Sequence, residues 1–384
     1  MAENKEKKVL NVPNLRFPEF EGEWEENYVN EICNEFKSGK AIKADLILDV
    51  GTYPVFGGNG LRGYTSTYNH DGLFVLIGRQ GALCGNVRSV IGKTYITEHA
   101  IAVNGNNKSD TNFLHYLFLQ MDLGRFSDQS AQPGLAVNKL LKLKVITPRI
   151  DEQRKIANLL RLLDERIATQ NKIIEDLKKL KSAISKYLFE RKDLFENKIK
   201  LSKVAELKNG YAFQSSKYNA LGKWKILTIA NVAGERYVKT NECNSIIEIP
   251  YDIQKHQKLE ANDILISLTG NVGRVSLCTE GFFLLNQRVG LLQLKVSEDR
   301  EYIYQALSSH KFENSMIACA QGAAQMNIGK GDVENYILPY SFNKENINSV
   351  ASVLKNYDKY IINEINMLSM LHSQKQYLLR QMFI

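Results

Sequence analysis

The sequence predicts an α+β fold built twice: two similar globular domains separated by two long helices packed as an antiparallel coiled coil, a pseudo-two-fold tandem repeat. The first observation is a repeated amphipathic stretch. IANLLRLLDERI at 156–167 returns as VASVLKNYDKYI at 350–361, an offset of 194 in a chain of 384 residues. The second is that each copy follows a stretch rich in short β-type runs. An offset near half the chain length indicates duplication of a whole unit.

The repeat sets the domain boundaries. We expect a first globular domain over 1–150, a first long helix over 151–192, a second globular domain over 193–342 and a second long helix over 343–384. Within the globular parts, runs such as FVLIG, ILISL and LLQLKV alternate with glycine and asparagine turns such as GGNG and TGNVG, and NFLHYLFLQM has a helical pattern. These features predict mixed α+β domains.

The long helices have start signals and a defined length. Each should begin where Pro148 or Pro339 ends a strand-like run and where Asp151 or Asn343 can cap the first turn. About 40 residues at 1.5 Å per residue give a helix about 60 Å long.

The apolar seam of each helix predicts how the two helices pair. Both seams follow steps of four and three, which is coiled-coil spacing, and both become polar at two matching places, Gln170 and Lys181 in the first and Glu364 and Lys375 in the second. A parallel pair would place Lys181 opposite Lys375. An antiparallel pair would place Lys181 near Asp358 and Lys375 near Asp164, and it would also let the short connection after the first helix reach the second domain. We therefore expect an antiparallel stalk with one domain at each end.

The composition restricts the class of protein. Lys and Arg outnumber Asp and Glu by 50 to 42, giving a net charge of +8 and a pI near 9.0, which favours a polyanionic partner. The five cysteines are scattered and never spaced as CxxC, which is typical of a reducing cytoplasm. No signal peptide and no apolar run long enough to cross a membrane is visible, so we expect a folded cytoplasmic protein without a membrane partner.

Motifs that resemble catalytic sites lack their required context. Gly58, Gly60 and Gly63 fit GxGxxG, but the residues that follow, YTSTYNHDG, do not form a helix, and Asn59-Gly60 is better interpreted as a hairpin turn. Asp176 and Lys178 fit half of a nuclease motif but lie inside the amphipathic helix. No HExxH pair or zinc spacing is present. We expect no catalytic residue, no metal site and no cofactor bound by this chain.

Polar side chains on glycine-rich loops form two sets, one in each half. They are Arg, Asn, Gln, Ser, Thr, Lys and Tyr, which suit hydrogen bonding to base edges and phosphates. An alternative interpretation is that about half of them only build turns. The first set is Arg62, Tyr64, Arg79, Gln80, Asn86, Arg88, Gln129, Gln132 and Asn138. The second set is Ser215, Lys217, Tyr218, Thr269, Asn271, Arg274, Asn286, Gln287, Arg288, Gln321, Gln325 and Asn327.

These segments resemble a known family. The opening NVPNLRFPEFEGEW, the segments YPVFGGNGLRGYT and IGRQGALCGNV, the junction PRIDEQRKIANLLRLLDERI, and the later NGYAFQSSKY, SLTGNVGRV and AQMNIGKGDV are similar, in this order, to specificity (S) subunits of Type I restriction-modification enzymes. The second junction, LPYSFNKENINSV, departs from the pattern because it lacks the Glu-Gln of DEQRK.

The resemblance implies two target recognition domains that each read one half of a bipartite double-stranded DNA site, and helices that dock two modification (methyltransferase) subunits. S-adenosylmethionine, ATP and Mg would then bind to the modification and restriction (ATP-dependent nuclease) subunits. Three alternatives remain at this point. They are a stand-alone sequence-specific DNA-binding protein, an enzyme of unrecognised type, and a coiled-coil scaffold without a nucleic-acid role.

Overall fold

A computed structural model describes residues 10–128, 134–295, 299–321 and 326–384. The chain divides into two compact units: Met1–Asn171 with Met367–Ile384, and Lys172–Asn366. Each unit therefore combines one globular domain with a part of each long helix.

The described residues of the first unit form three small sheets. Its elements are β1 (Glu25–Tyr28), α1 (Val29–Ile32), β2 (Cys33–Ser38), β3 (Tyr53–Gly57), β4 (Gly60–Thr65), β5 (Leu73–Gly78), β6 (Val87–Ile91), β7 (Tyr95–Ile96), β8 (Ala100–Gly105), α2 (Thr111–Gln120), α3 (Val137–Leu140), β9 (Lys144–Thr147) and the first part of α4 (Ile150–Glu190). The strands pair in the orders β2-β8-β5-β6, β4-β3-β7 and β1-β9. All pairs are antiparallel except β3 with β7.

The second unit repeats this plan. Its elements are β10 (Asn197–Lys200), β11 (Ala205–Asn209), β12 (Trp224–Leu227), β13 (Asn244–Ile246), β14 (Lys258–Leu259), β15 (Ile264–Ser267), β16 (Val275–Leu277), β17 (Phe283–Leu285), β18 (Val289–Leu294), α5 (Arg300–Leu307), α6 (His310–Ala320), α7 (Lys330–Glu334), β19 (Ile337–Tyr340) and α8 (Lys344–Met382), the end of which belongs to the first unit. The orders β11-β18-β15-β16, β13-β12-β17-β14 and β10-β19 match those of the first unit, with β14 added. The duplication predicted from the helices therefore extends to the sheets.

The central strand of each domain lies between two hydrophobic clusters. In β5, Val75 and Ile77 pack into the cluster that contains α2, whereas Phe74 and Leu76 pack into the opposite one. In β15, Ile264 and Ile266 face one cluster and Leu265 faces the other. Because successive strand residues point to opposite faces, a strand covered on both sides is continuously apolar. The polar loops begin at the ends of these buried strands.

The long helices run antiparallel within each unit. In the first unit, Ile156 and Leu160 of α4 share a cluster with Leu379 and Met382 of α8, while Leu163 and Ile167, further along α4, contact the earlier residue Leu371. In the second unit, Ile184 and Leu188 of α4 pack against the cluster that contains Val350 and Leu354 of α8. The predicted direction of pairing is confirmed in both units.

The start signals of the helices were only partly right. Pro148 follows β9 as expected, but Pro339 lies inside β19 and does not end the strand. Among the described residues this strand pairs only with β10, so proline occupies an edge strand, where a missing N–H is tolerated. Asn343 caps α8, since its Oδ1 accepts from the backbone N–H of Glu345 at 2.9 Å. Asp151 lies in the first turn of α4 and not at its cap, because α4 begins at Ile150.

Candidate nucleic-acid interface

Polar side chains lie around the end of β5, and we call this group the first polar surface: Arg79, Gln80, Asn86 and Arg88, together with Arg62 of the adjoining β3–β4 hairpin. Arg79 and Gln80 directly follow β5, and the Asn86 carbonyl accepts from the N–H of Gly78 at 2.8 Å. The loop Gly81–Gly85 therefore returns the chain to the sheet, and Arg88 lies in β6 beside β5.

The β3–β4 hairpin closes over this group through its glycines. A Cβ at Gly58 would lie 2.7 Å from the carbonyl oxygen of His99 and 3.5 Å from the backbone nitrogen of Arg79. At Gly60, where φ is +109°, a Cβ would lie 2.2 Å from Nη1 of Arg88. The hairpin predicted at Asn59-Gly60 is present, with Gly57 opposite Gly60. The glycines allow the hairpin to pack closely against Arg79 and Arg88.

The other candidates of the first half are separate. Tyr64 lies opposite Pro54, and Asn138 is an exposed residue of α3. Among the residues that the structure describes, no hydrogen bond or ion pair joins these two to the first polar surface. Gln129 and Gln132 lie outside the described residues.

A second polar surface forms at the end of β15 from Thr269, Asn286, Gln287, Arg288 and Asn327. Thr269 and Asn327 form an antiparallel bridge. The backbone N–H of Leu268 donates to the carbonyl of Arg288 at 3.0 Å. Gln287 and Arg288 are exposed, but Asn286 is buried and its Oδ1 accepts from the N–H of Arg288 at 3.1 Å. Asn286 therefore shapes the loop that presents its two neighbours.

The remaining candidates of the second half differ in their freedom to bind. The Arg274 Nε lies 3.5 Å from Oε1 of Glu313, so its charge is already paired. The carbonyl of Asn271 accepts from Ser267 Oγ at 2.5 Å. Tyr218 packs against an apolar cluster. Four candidates are exposed, namely Ser215, Lys217, Asn271 and Gln321. Gln325 lies outside the described residues.

Hydrogen bonds show which loops of the two units are equivalent. The N–H of Arg79 donates to the carbonyl of His99 at 2.9 Å, as Leu268 does to Arg288. The N–H of Leu135 donates to the carbonyl of Arg79 at 2.9 Å, and Ile328 donates to Leu268 at the same distance. His99 therefore occupies the position of Arg288.

Sequence reasoning missed three residues at these surfaces: Glu98, His99 and Tyr211. Aligning the turns that precede β8 and β18, TEHA and NQRV, would have found the first two. The backbone of Tyr211 forms an isolated parallel β-bridge with Asn286. The hydroxyl of Tyr211 donates to Oδ1 of Asp252 at 2.9 Å. That hydrogen bond raises the pKa of Tyr211, so the hydroxyl stays neutral.

The side chains at both surfaces are suited to hydrogen bonding. Guanidinium, amide and hydroxyl groups at the ends of rigid strands suit contact with base edges and phosphates. Among the described residues, no group of three or more His, Cys, Asp or Glu is placed to hold a metal ion. The same residues include no helix that is both long and apolar enough to span a membrane.

Comparison with protein families identifies a match along both halves. The profile of the Type I restriction modification DNA specificity domain matches residues 21–179 and again residues 195–367. Each match includes one of the polar surfaces.

Two curated relatives show the extent of similarity. The chain is 39% identical over 176 residues to the Type I restriction enzyme EcoprrI specificity subunit of Escherichia coli, covering 45% of this chain and 43% of the relative. It is 27% identical over 278 residues to the Type I restriction enzyme MjaVIII specificity subunit of Methanocaldococcus jannaschii, covering 64% of each chain. The aligned part thus spans less than two thirds of either relative.

Solved structures share the fold over a greater length. The S subunit of a Type I restriction-modification system from M. genitalium aligns with a TM-score of 0.66 at 18% identity, covering 97% of this chain and 99% of that one. A chain from a study of complex assembly and conformational transition of the type I R-M system aligns with a TM-score of 0.55 at 14% identity, covering 93% and 96%. At these identities the likeness concerns the fold.

Proposed function

This chain belongs to the family of Type I restriction modification DNA specificity domains, and on that premise we propose that it is a DNA-reading specificity subunit. Its two domains each read one half of a bipartite double-stranded DNA target. The chain directs adenine methylation or cleavage by partner subunits and performs neither reaction itself.

The observation that carries this proposal is one scaffold presenting two different sets of side chains. Hydrogen bonds place Arg79 and His99 of the first unit where Leu268 and Arg288 stand in the second. The sheet orders agree, but the exposed groups at the strand ends differ. Side-chain identity at the base edge sets sequence preference, so two such domains would read two different short sequences.

The partners follow from the same premise. We propose two methyltransferase subunits docked on the long helices, and restriction subunits that supply ATP-driven cleavage. S-adenosylmethionine, ATP and Mg would bind to those chains. A cytoplasmic location belongs to the proposal and is supported by five free thiols, since disulfides persist in oxidising compartments.

Co-purification tests this function. An affinity-tagged chain, expressed with the modification gene of its own system, should retain a methyltransferase. The complex should methylate adenine in duplex DNA, and the chain alone should transfer no methyl group. Methyl transfer by the purified chain without a second subunit would overturn the proposal, as would tight binding of one site by a chain that retains no partner.

A further inference from the structure

His99 stands between an acidic side chain and a candidate reading residue. Its Nδ1 lies 3.1 Å from Oε1 of Gln80, and its Nε2 lies 3.3 Å from Oε1 of Glu98. The side chains of His99 and Glu98 are 44% and 38% exposed, so this chain of contacts lies at the surface.

The backbone around His99 is fixed on several sides. Its carbonyl accepts from Arg79 N–H, and Gly58 leaves no room for a side chain beside that oxygen. The backbone of Gln80 forms an isolated antiparallel β-bridge with Gly134. The backbones on both sides of this contact are therefore paired with neighbouring segments.

The chemistry of the contact fixes the direction of the Gln80 amide. The two atoms that face the imidazole, Oε1 of Gln80 and Oε1 of Glu98, only accept hydrogen bonds, so both contacts are made as hydrogen bonds when both ring nitrogens carry a proton. In the geometry observed, Oε1 of Gln80 faces the imidazole, which leaves the Nε2 amino group directed away from it. If His99 offered an acceptor at Nδ1, the amide would turn and present its oxygen instead.

We propose that His99 is a positioning residue of the first polar surface: held by Glu98, it orients the Gln80 amide so that its amino group meets an acceptor on the base edge. The acceptors in the major groove are N7 and O6 of guanine, N7 of adenine and O4 of thymine. His99 thus contributes to specificity through Gln80. This inference rests on the proposed function.

The test compares two substitutions of the same residue. His99→Phe keeps an aromatic ring but removes both nitrogens, and His99→Asn keeps a donor close to the position of Nδ1. Each full-length variant is expressed with its methyltransferase partner, and modified adenines are mapped across genomic DNA. The second half-site, read by the other domain, is the internal control for folding and assembly.

We expect His99→Phe to lose discrimination at one base of one half-site by about ten- to a hundredfold, the loss of one specific base contact. His99→Asn should restore most of it, which a purely structural ring could not explain. An unchanged motif in His99→Phe, or equal loss in both variants, would overturn the positioning role. If the unmodified protein produced no bipartite motif at all, the proposed function would fail instead.

Discussion

Lys181 Nζ lies 2.6 Å from Oδ1 of Asp358, joining the two long helices within the second unit. Its counterpart in the first unit is Lys375, whose Nζ lies 2.5 Å from Oδ1 of Asp164. Antiparallel pairing inferred from the sequence predicted both contacts, and both are confirmed. A parallel pair would have placed the two lysines together.

Each aspartate also receives a hydrogen bond from its globular domain. The hydroxyl of Tyr116 donates to Asp164 at 2.9 Å, and Nε2 of Gln305 donates to Asp358 at 2.7 Å. Asp358 additionally accepts from Arg236 at 2.9 Å. Each aspartate therefore ties two helices and one domain together at a single point.

Removing these carboxylates should affect stability unequally. The side chain of Asp358 is 8% exposed and that of Asp164 is 34% exposed. Asp358→Ala leaves Arg236 and Lys181 without this partner and should cost about 3 kcal/mol or more, as breaking a buried ion pair does. Asp164→Ala should cost less, about 1 to 2 kcal/mol, because solvent reaches this carboxylate and replaces part of the ion pair, although Tyr116 loses its acceptor. Urea unfolding of both variants measures the difference, and equal losses would contradict this ranking.

The first unit should lose stability in mild acid through His115. Burial, followed by repulsion from Lys375, lowers its pKa from 6.5 to about 4, and its buried Nδ1 has no hydrogen-bond partner within the described residues. The unfolded chain binds a proton below pH 6.5 and the folded chain does not. Stability should therefore fall between pH 6.5 and 4, by up to about 3 kcal/mol.

The control for His115 removes the titrating group. His115→Phe keeps a ring at this position but cannot bind a proton. Urea unfolding at pH 7 and at pH 4.5 should show a smaller loss for the variant than for the unmodified protein. An identical pH dependence in the two proteins would exclude His115 as the cause.

Two glycines with positive φ allow the effect of backbone strain to be distinguished from the effect of side-chain crowding. Gly60 and Gly72 have φ of +109° and +118°, but only at Gly60 would a Cβ meet a side chain, the guanidinium of Arg88. Both alanine variants should be destabilised by about 1 kcal/mol because of the backbone conformation. Only Gly60→Ala should also weaken recognition of one half-site. Equal methylation defects in the two variants would show that displacement of Arg88 does not affect recognition, and would exclude Arg88 from the DNA-contacting residues of the first polar surface.

The elements that could be predicted from the sequence are those with a clear apolar pattern. The β-type runs became β5 and β15, and NFLHYLFLQM became α2, because strong apolar patterns and caps are local signals. The side chain of Asp110 at the α2 cap accepts from Phe113 N–H at 3.1 Å, a contact within one turn. Local patterns of this kind need no knowledge of the rest of the fold.

Contacts between distant loops could not be predicted in this way. Arg79 and Leu135 are joined by one backbone hydrogen bond. The sequence between these two residues contains no local pattern that predicts it. Gly134, and not Asn138, is the equivalent of Asn327, because Gly134 forms a β-bridge with Gln80 as Asn327 does with Thr269. The role of Asn286 in shaping its loop also depends on a turn that the sequence alone leaves open.

The direct test of two domains reading two half-sites is a map of N6-methyladenine in DNA from cells that express this chain with its methyltransferase partner. The unmodified protein should produce one bipartite motif. Arg79→Ala should relax one half and Arg288→Ala the other, each by about 1 to 3 kcal/mol, with the spacer unchanged. A single continuous motif, or loss of both halves from either substitution, would contradict the account.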